Sequence, residues 1–184
     1  VQANLPEVID WDAVEADPVR CADRASGEAM VNAINAAKPD GDTVGGIVEV
    51  RVEGVPMGLG SHVQWDRKLD GRIAQAMCSI NAFKGVEFGA GFPAAAMRGS
   101  KVHDVVMPQS AWDGRPWAHA SNRHGGIIGG ISTGEDIVVR AVVKPIPTLA
   151  HPLPSVDLDT GDEVLARYER SDVCVVPAAG VVGE

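Results

Sequence analysis

A chain of 184 residues has room for one sizeable core, and 45% apolar but only 4% aromatic residues call for an interior of Val, Ile, Ala and Leu. A net charge of −9 argues against the nucleic-acid backbone and anionic membranes as partners. No apolar run is as long as a spanning helix, and the start lacks a basic segment followed by an apolar one, so a soluble, cytoplasmic protein is expected.

Residues 1–23, VQANLPEVIDWDAVEADPVRCAD, show no period and read as an irregular lead-in. From Arg24 to Ala37 the residues Ala25, Ala29, Met30, Ala33, Ile34 and Ala37 form a helical stripe that stops at KPDGD. TVGGIVEVRVEGVP then alternates, with Val48, Val50 and Val52 on one face and Glu49, Arg51 and Glu53 on the other: a strand with one wet side. Leu69, Ile73, Ala76, Met77 and Ile80 predict a helix over Trp65 to Phe83. Pro93 to Asn122 is polar and proline-spotted, holds Trp112 and Trp117 without a period, and reads as a long irregular segment. Strands resume in GGIIGGI and DIVVRAVV, and VDLDTGDEVLARY reads as a hairpin about Thr160-Gly161. This order points to an α+β fold in one domain, residues 1–184.

The chain opens on Val1 and closes on an apolar VVGE run, the pattern expected of a piece of a longer protein. Cys21, Cys78 and Cys174 lie far apart without a CxxC pair, as expected of buried thiols in a reducing compartment.

The stretch RHGGIIGGISTGEDIVVRAVVKPIPT, Arg123 to Thr148, is dense in glycine and ends on a lysine among prolines. Lys144 stands a full strand beyond the glycines, so the spacing of a P-loop fails, and no triplet fits GxGxxG ahead of a helix. Gly125, Gly126, Gly129, Gly130 and Gly134 either permit tight turns and packing or let a flat ring or phosphate approach the backbone. Lys144 offers a point charge to an anion, and the stiff KPIPT segment adds backbone and the Thr148 hydroxyl.

DLDTG has its glycine fifth and no flanking helices, so it reads as a hairpin tip and not as a calcium loop. His119 and His124 are loosely spaced, no acidic or cysteine partner recurs at ligand spacing, and no metal site is expected. His62 and His103 read as surface or core-edge residues, and without GxSxG a hydrolase triad has no anchor. In RSDVC, Arg170 and Asp172 share a face of an extended segment. The pair either grips an anion beside a proton-accepting carboxylate or forms a surface ion pair.

Taken in order, DTVGGIVEV, SINAFKGVEFGAGF, GSKVHD, GGIIGGISTGEDIVVRAVVKPIPT, SVDLDTGDEV and RSDVCVVPAAGVVGE resemble chorismate synthase along nearly the whole chain, least over the first twenty residues. The resemblance implies a lyase of the shikimate pathway, the route to the aromatic amino acids. Its reaction turns 5-enolpyruvylshikimate 3-phosphate into chorismate and phosphate by 1,4-anti elimination. It also implies reduced FMN as cofactor, NADPH solely as reductant for the flavin, and a homotetramer. The implied fold is a β-α-β sandwich with helices packed between antiparallel sheets and a flavin-binding portion over 81–172. The family's flavin contacts fall on Asn81, Ala82, Gly129, Lys144, Pro145, Ile146, Pro147, Thr148 and Arg170, and Asp172 matches its proton-handling aspartate. The family's amino-terminal half, with its ESHG-type opening and catalytic histidines, has no counterpart here. None of His62, His103, His119, His124 and His151 sits in a matching motif, so no catalytic histidine carries over. His124 stands where relatives place a small or amide residue, and the family helix that follows RSDVCVVPAAGVVGE is expected to be missing from this chain, as is the amino-terminal half.

Overall fold

The structure, a computed structural model, describes residues 1–6, 8–108 and 117–184; Trp112 lies outside them. In chain order the elements are α1 (Trp11–Ala16), α2 (Arg24–Ala37), β1 (Gly46–Val52), α3 (Leu69–Ser79), β2 (Phe83–Phe88), α4 (Gly99–Val102), β3 (Val106–Pro108), β4 (Trp117–His119), β5 (Ile127–Ile128), β6 (Ile131–Ser132), β7 (Ile137–Val143), β8 (Pro154–Val156), β9 (Glu163–Leu165) and α5 (Val176–Gly183). This mixture is the α+β class. Contacts divide the chain into two compact units, 1–48 with 143–182 and 184, and 49–142 with 183.

In the first unit the expected irregular lead-in contains α1, which Asp10 starts by accepting the Ala13 amide at 3.1 Å. Six residues are too few to show a helical period. The expectation for α2 holds, and Asp23 caps it by accepting the Ser26 amide at 3.0 Å. The hairpin of β8 and β9 is antiparallel with Val156 opposite Glu163, and Gly161 turns it at φ +77°. The closing run RSDVCVVPAAGVVGE itself carries α5, and Pro177 sits in its first turn, where its missing N–H costs nothing. All three cysteines are free, and Cys78 is exposed where a buried thiol was expected.

The second unit is built on a three-stranded sheet in the order β1-β7-β2. Along β7, Ile137, Val139 and Ala141 are buried in alternation with less buried neighbours, the period of two that a sheet imposes. Val50 of β1 is buried as expected; Val52, the last residue, is 45% exposed. Arg51 on the wet face pairs with Asp136 at 3.0 Å. The helix expected from Trp65 to Phe83 is shorter. A 3-10 turn covers Trp65–Arg67, Lys68 is extended, and α3 ends at Ser79 because Ile80 is extended and Ala82 takes φ +72°. The segment expected to be irregular carries a 3-10 turn at Phe92–Ala96, α4, and the antiparallel β3–β4 pair with Val106 opposite His119.

Val55, Ile127 and Ile137 form a buried cluster against which Leu69, Ile73 and Phe88 pack. It joins α3 to the glycine-rich hairpin and anchors both. Among the described residues no helix is long and apolar enough to cross a membrane.

Candidate functional site

In the second unit, β5 and β6 are joined by Gly129 and Gly130 alone, with φ +62° and +89°. Positive φ at both central residues is the turn that suits the twist of a two-residue hairpin. Ser132 secures the hairpin from below: it is buried, its hydroxyl donates to the Pro56 carbonyl at 2.6 Å, and it accepts the Leu59 amide at 2.8 Å.

The glycines divide by what surrounds them. A Cβ on Gly125 would lie 2.4 Å from the Gly89 nitrogen, and one on Gly126 would lie 2.4 Å from the Asp136 carbonyl oxygen. These positions serve packing of the chain on itself. Gly129 differs, since a Cβ there would meet nothing within 4 Å. It is exposed, so its backbone is open to a ligand.

Asn81 and Ala82 form the turn between α3 and β2, Asn81 exposed and Ala82 half-buried. At φ +72°, Ala82 holds a left-handed conformation that an L side chain adopts at a cost of about 1–2 kcal/mol. The Leu69 amide, at the start of α3, donates to the Gly130 carbonyl at 2.9 Å. Asn81 therefore lies at the far end of an eleven-residue helix from the hairpin tip, about 16 Å along its axis. A small group cannot touch both; an elongated one can.

Ahead of the hairpin, Asp104 organises the loop that carries the first glycines. Its carboxylate is 4% exposed and accepts the amides of Arg123 and His124, each at 2.9 Å, and the hydroxyl of Ser121. Burial alone would raise its pKa, but these donors outweigh burial and hold the carboxyl below its ordinary value. Two histidines stand beside it. His119, at the end of β4, has Nδ1 2.8 Å from Glu135 Oε1, and its ring meets that of His124 edge to face with centroids 4.9 Å apart. Burial pushes the His124 imidazole down, partly opposed by Asp104. An acidic partner for the two histidines was not expected, yet Glu135 supplies one. Sixteen residues separate Glu135 from His119, so spacing carried no signal; the hydrogen-bonded turns on either side of the hairpin close that gap.

In the first unit, the Lys144–Thr148 segment leaves β7 between two other segments. The Thr43 hydroxyl donates to the Ile146 carbonyl at 2.6 Å, and the Ser171 hydroxyl donates to the Thr148 carbonyl at 2.8 Å. The Val44 amide donates to the Val173 carbonyl at 2.9 Å. The run from Lys144 through Pro145, Ile146, Pro147 and Thr148 is thereby tied to the run that holds Arg170 and Asp172. Lys144, Arg170 and Asp172 are exposed, and among the described residues none has an ion-pair partner. The surface ion pair between Arg170 and Asp172 does not form.

Two cations with no ion-pair partner among the described residues, on two hydrogen-bonded segments of which one is stiffened by Pro145 and Pro147, with the Asp172 carboxylate two residues from Arg170, suit an α+β protein that handles a small anionic molecule. The comparisons sharpen that class. The family model described as chorismate synthase matches residues 1–184. Chorismate synthase of Moorella thermoacetica is 57% identical over 183 residues, covering 97% of this chain and 47% of the relative. That of Brevibacillus brevis is 57% identical over 184 residues, 100% of this chain and 46% of the relative. A solved structure titled "Crystal Structure of Chorismate Synthase" superposes with a TM-score of 0.75 at 42% identity, over 94% of this chain and 43% of that one. The chain belongs to the chorismate synthase family, and it spans less than half the length of these relatives.

Proposed function

We propose that this chain supplies part of a lyase that converts 5-enolpyruvylshikimate 3-phosphate to chorismate and phosphate by 1,4-anti elimination. The observation that carries the proposal is the Ser171–Thr148 hydrogen bond, which ties two unpaired cations and one unpaired carboxylate into a single loop pair. In this reading Lys144 and Arg170 hold the phosphate end of FMN, with the Pro145–Thr148 backbone as a rigid wall. In the second unit, Asn81, Ala82 and Gly129 are the positions that the family resemblance assigns to flavin contact. The residues fit such a group: among the described residues Lys144 and Arg170 have no ion-pair partner, and Gly129 opens its backbone to space.

Reduced FMN, when bound, supplies an electron-rich ring beside the carbon that loses phosphate; NADPH serves solely to reduce it. The chain's own work is to bind charge, exclude water and handle a proton. Asp172, two residues from Arg170, accepts a proton on its carboxylate while the guanidinium keeps the anion in place. A homotetramer and a cytoplasmic setting belong to the same proposal.

The test is anaerobic turnover by the full-length protein with reduced FMN and substrate, followed as chorismate formation. Lys144→Ala and Arg170→Ala are expected to weaken FMN binding by roughly ten- to a hundredfold, the 1.5–3 kcal/mol of a charge-assisted bond. Unchanged FMN affinity in both variants would reject the cofactor assignment. A second reading, a flavin-binding piece with no turnover of its own, is favoured by the coverage of less than half of each relative.

A further inference from the structure

We propose that His119, His124 and Glu135 form a binding site for one divalent transition-metal ion of the zinc, cobalt or nickel class. The three residues come from the end of β4, the turn after it and the turn before β7, and their ligand atoms all lie within 4.8 Å of one another. Each is largely withdrawn from water, with side-chain exposures of 8%, 12% and 18%. Surface histidines seldom meet these conditions together.

His119 Nδ1 and Glu135 Oε1 are 2.8 Å apart and share a proton in the metal-free chain. Donors on a tetrahedral ion, at about 2.1 Å each, stand about 3.4 Å apart. The ion takes the place of the shared proton after that pair opens by about half an ångström, and the proton moves to His119 Nε2. His124 supplies the second imidazole. Its Nε2 is sealed from solvent and makes no hydrogen bond, which leaves a buried polar atom that a metal would satisfy. Ligation there moves the His124 proton to Nδ1; in the metal-free chain Nδ1 accepts the Gly126 amide at 2.9 Å, and that bond is given up on ligation. That amide keeps its bond to Asn122 Oδ1 at 2.7 Å.

Charge supports the same conclusion. Glu135 and Asp104 bring two carboxylates to a buried spot, and Asp104 Oδ2 lies 3.6 Å from His124 Nε2. Two nitrogens and a carboxylate select borderline metals over magnesium or calcium, which prefer all-oxygen shells. The site stands apart from the flavin assignment, and its test does not use turnover.

The experiment titrates the metal-free, full-length protein with Zn2+ by calorimetry and with Co2+ by fluorescence. The Trp117 ring lies edge-on to His119 at 5.6 Å between centroids, close enough for bound Co2+ to quench it. One equivalent of Zn2+ per chain is expected, with affinity falling at least about tenfold in His119→Gln and in Glu135→Gln and unchanged in His62→Ala. Co2+ quenching should vanish in Trp117→Phe while the stoichiometry stays. X-ray absorption of the loaded wild type, which needs no variant to fold, should show two imidazoles on the metal. Absence of stoichiometric binding, binding untouched by both variants, or a shell without imidazoles would each overturn the proposal.

Discussion

Asp172 and Arg170 stand two residues apart with opposite charge, and their roles separate under mutation. Asp172→Asn keeps the shape and removes the proton acceptor, so turnover should drop by about a hundredfold or more with FMN affinity nearly unchanged. Parallel losses in single-turnover rate and flavin titration would count against proton handling. Asp104 makes a different prediction. Its folded pKa lies below the ordinary 3.8, so the carboxylate stabilises the fold above about pH 4. That stability is lost as pH falls from 3.8 toward the lower folded value, because the unfolded chain binds the proton first. Asp104→Asn should cost about 2 kcal/mol at pH 7 and flatten the acid limb, read from urea midpoints at pH 7 and pH 3. Asp104 stood in GSKVHD, a segment quoted for its resemblance alone, and nothing in its spacing announced that it would hold residues 121–124.

At the scale of elements, the glycine hairpin separates two reasons for the same residue. Gly126→Ala adds a Cβ 2.4 Å from a backbone oxygen at φ +77°, and should cost roughly 2–5 kcal/mol from strain and overpacking together. Gly129→Ala meets open space and carries the conformational term alone, about 1–2 kcal/mol. Thermal unfolding of the two variants should show that order; equal losses would mean the close approaches relax freely. The elements themselves were unevenly legible. The stripe of α2 and the alternation of β1 survive because one face of each meets a core. The turn at Ala82 was hidden, since an alanine gives no sign that it will take a left-handed backbone and end a helical pattern early.

For the whole molecule, coverage of less than half of each relative sets the expectation for function. The isolated chain, given reduced FMN and substrate under anaerobic conditions, should form no chorismate, whereas a full-length version should; turnover by the isolated chain would mean the missing portion is dispensable. Periodicity and turn chemistry were enough to read an α+β chain with a hairpin at Thr160-Gly161, because both are local consequences of φ, ψ and one buried face. The ordered family segments added the flavin and the residues expected to hold it. Only tertiary structure could tie Thr148 to Ser171 across 23 residues, leave Lys144 and Arg170 without anionic partners among the described residues, and bring Glu135 to two histidines. Those contacts are made by backbone bonds and burial between distant segments, and linear spacing carries no trace of them.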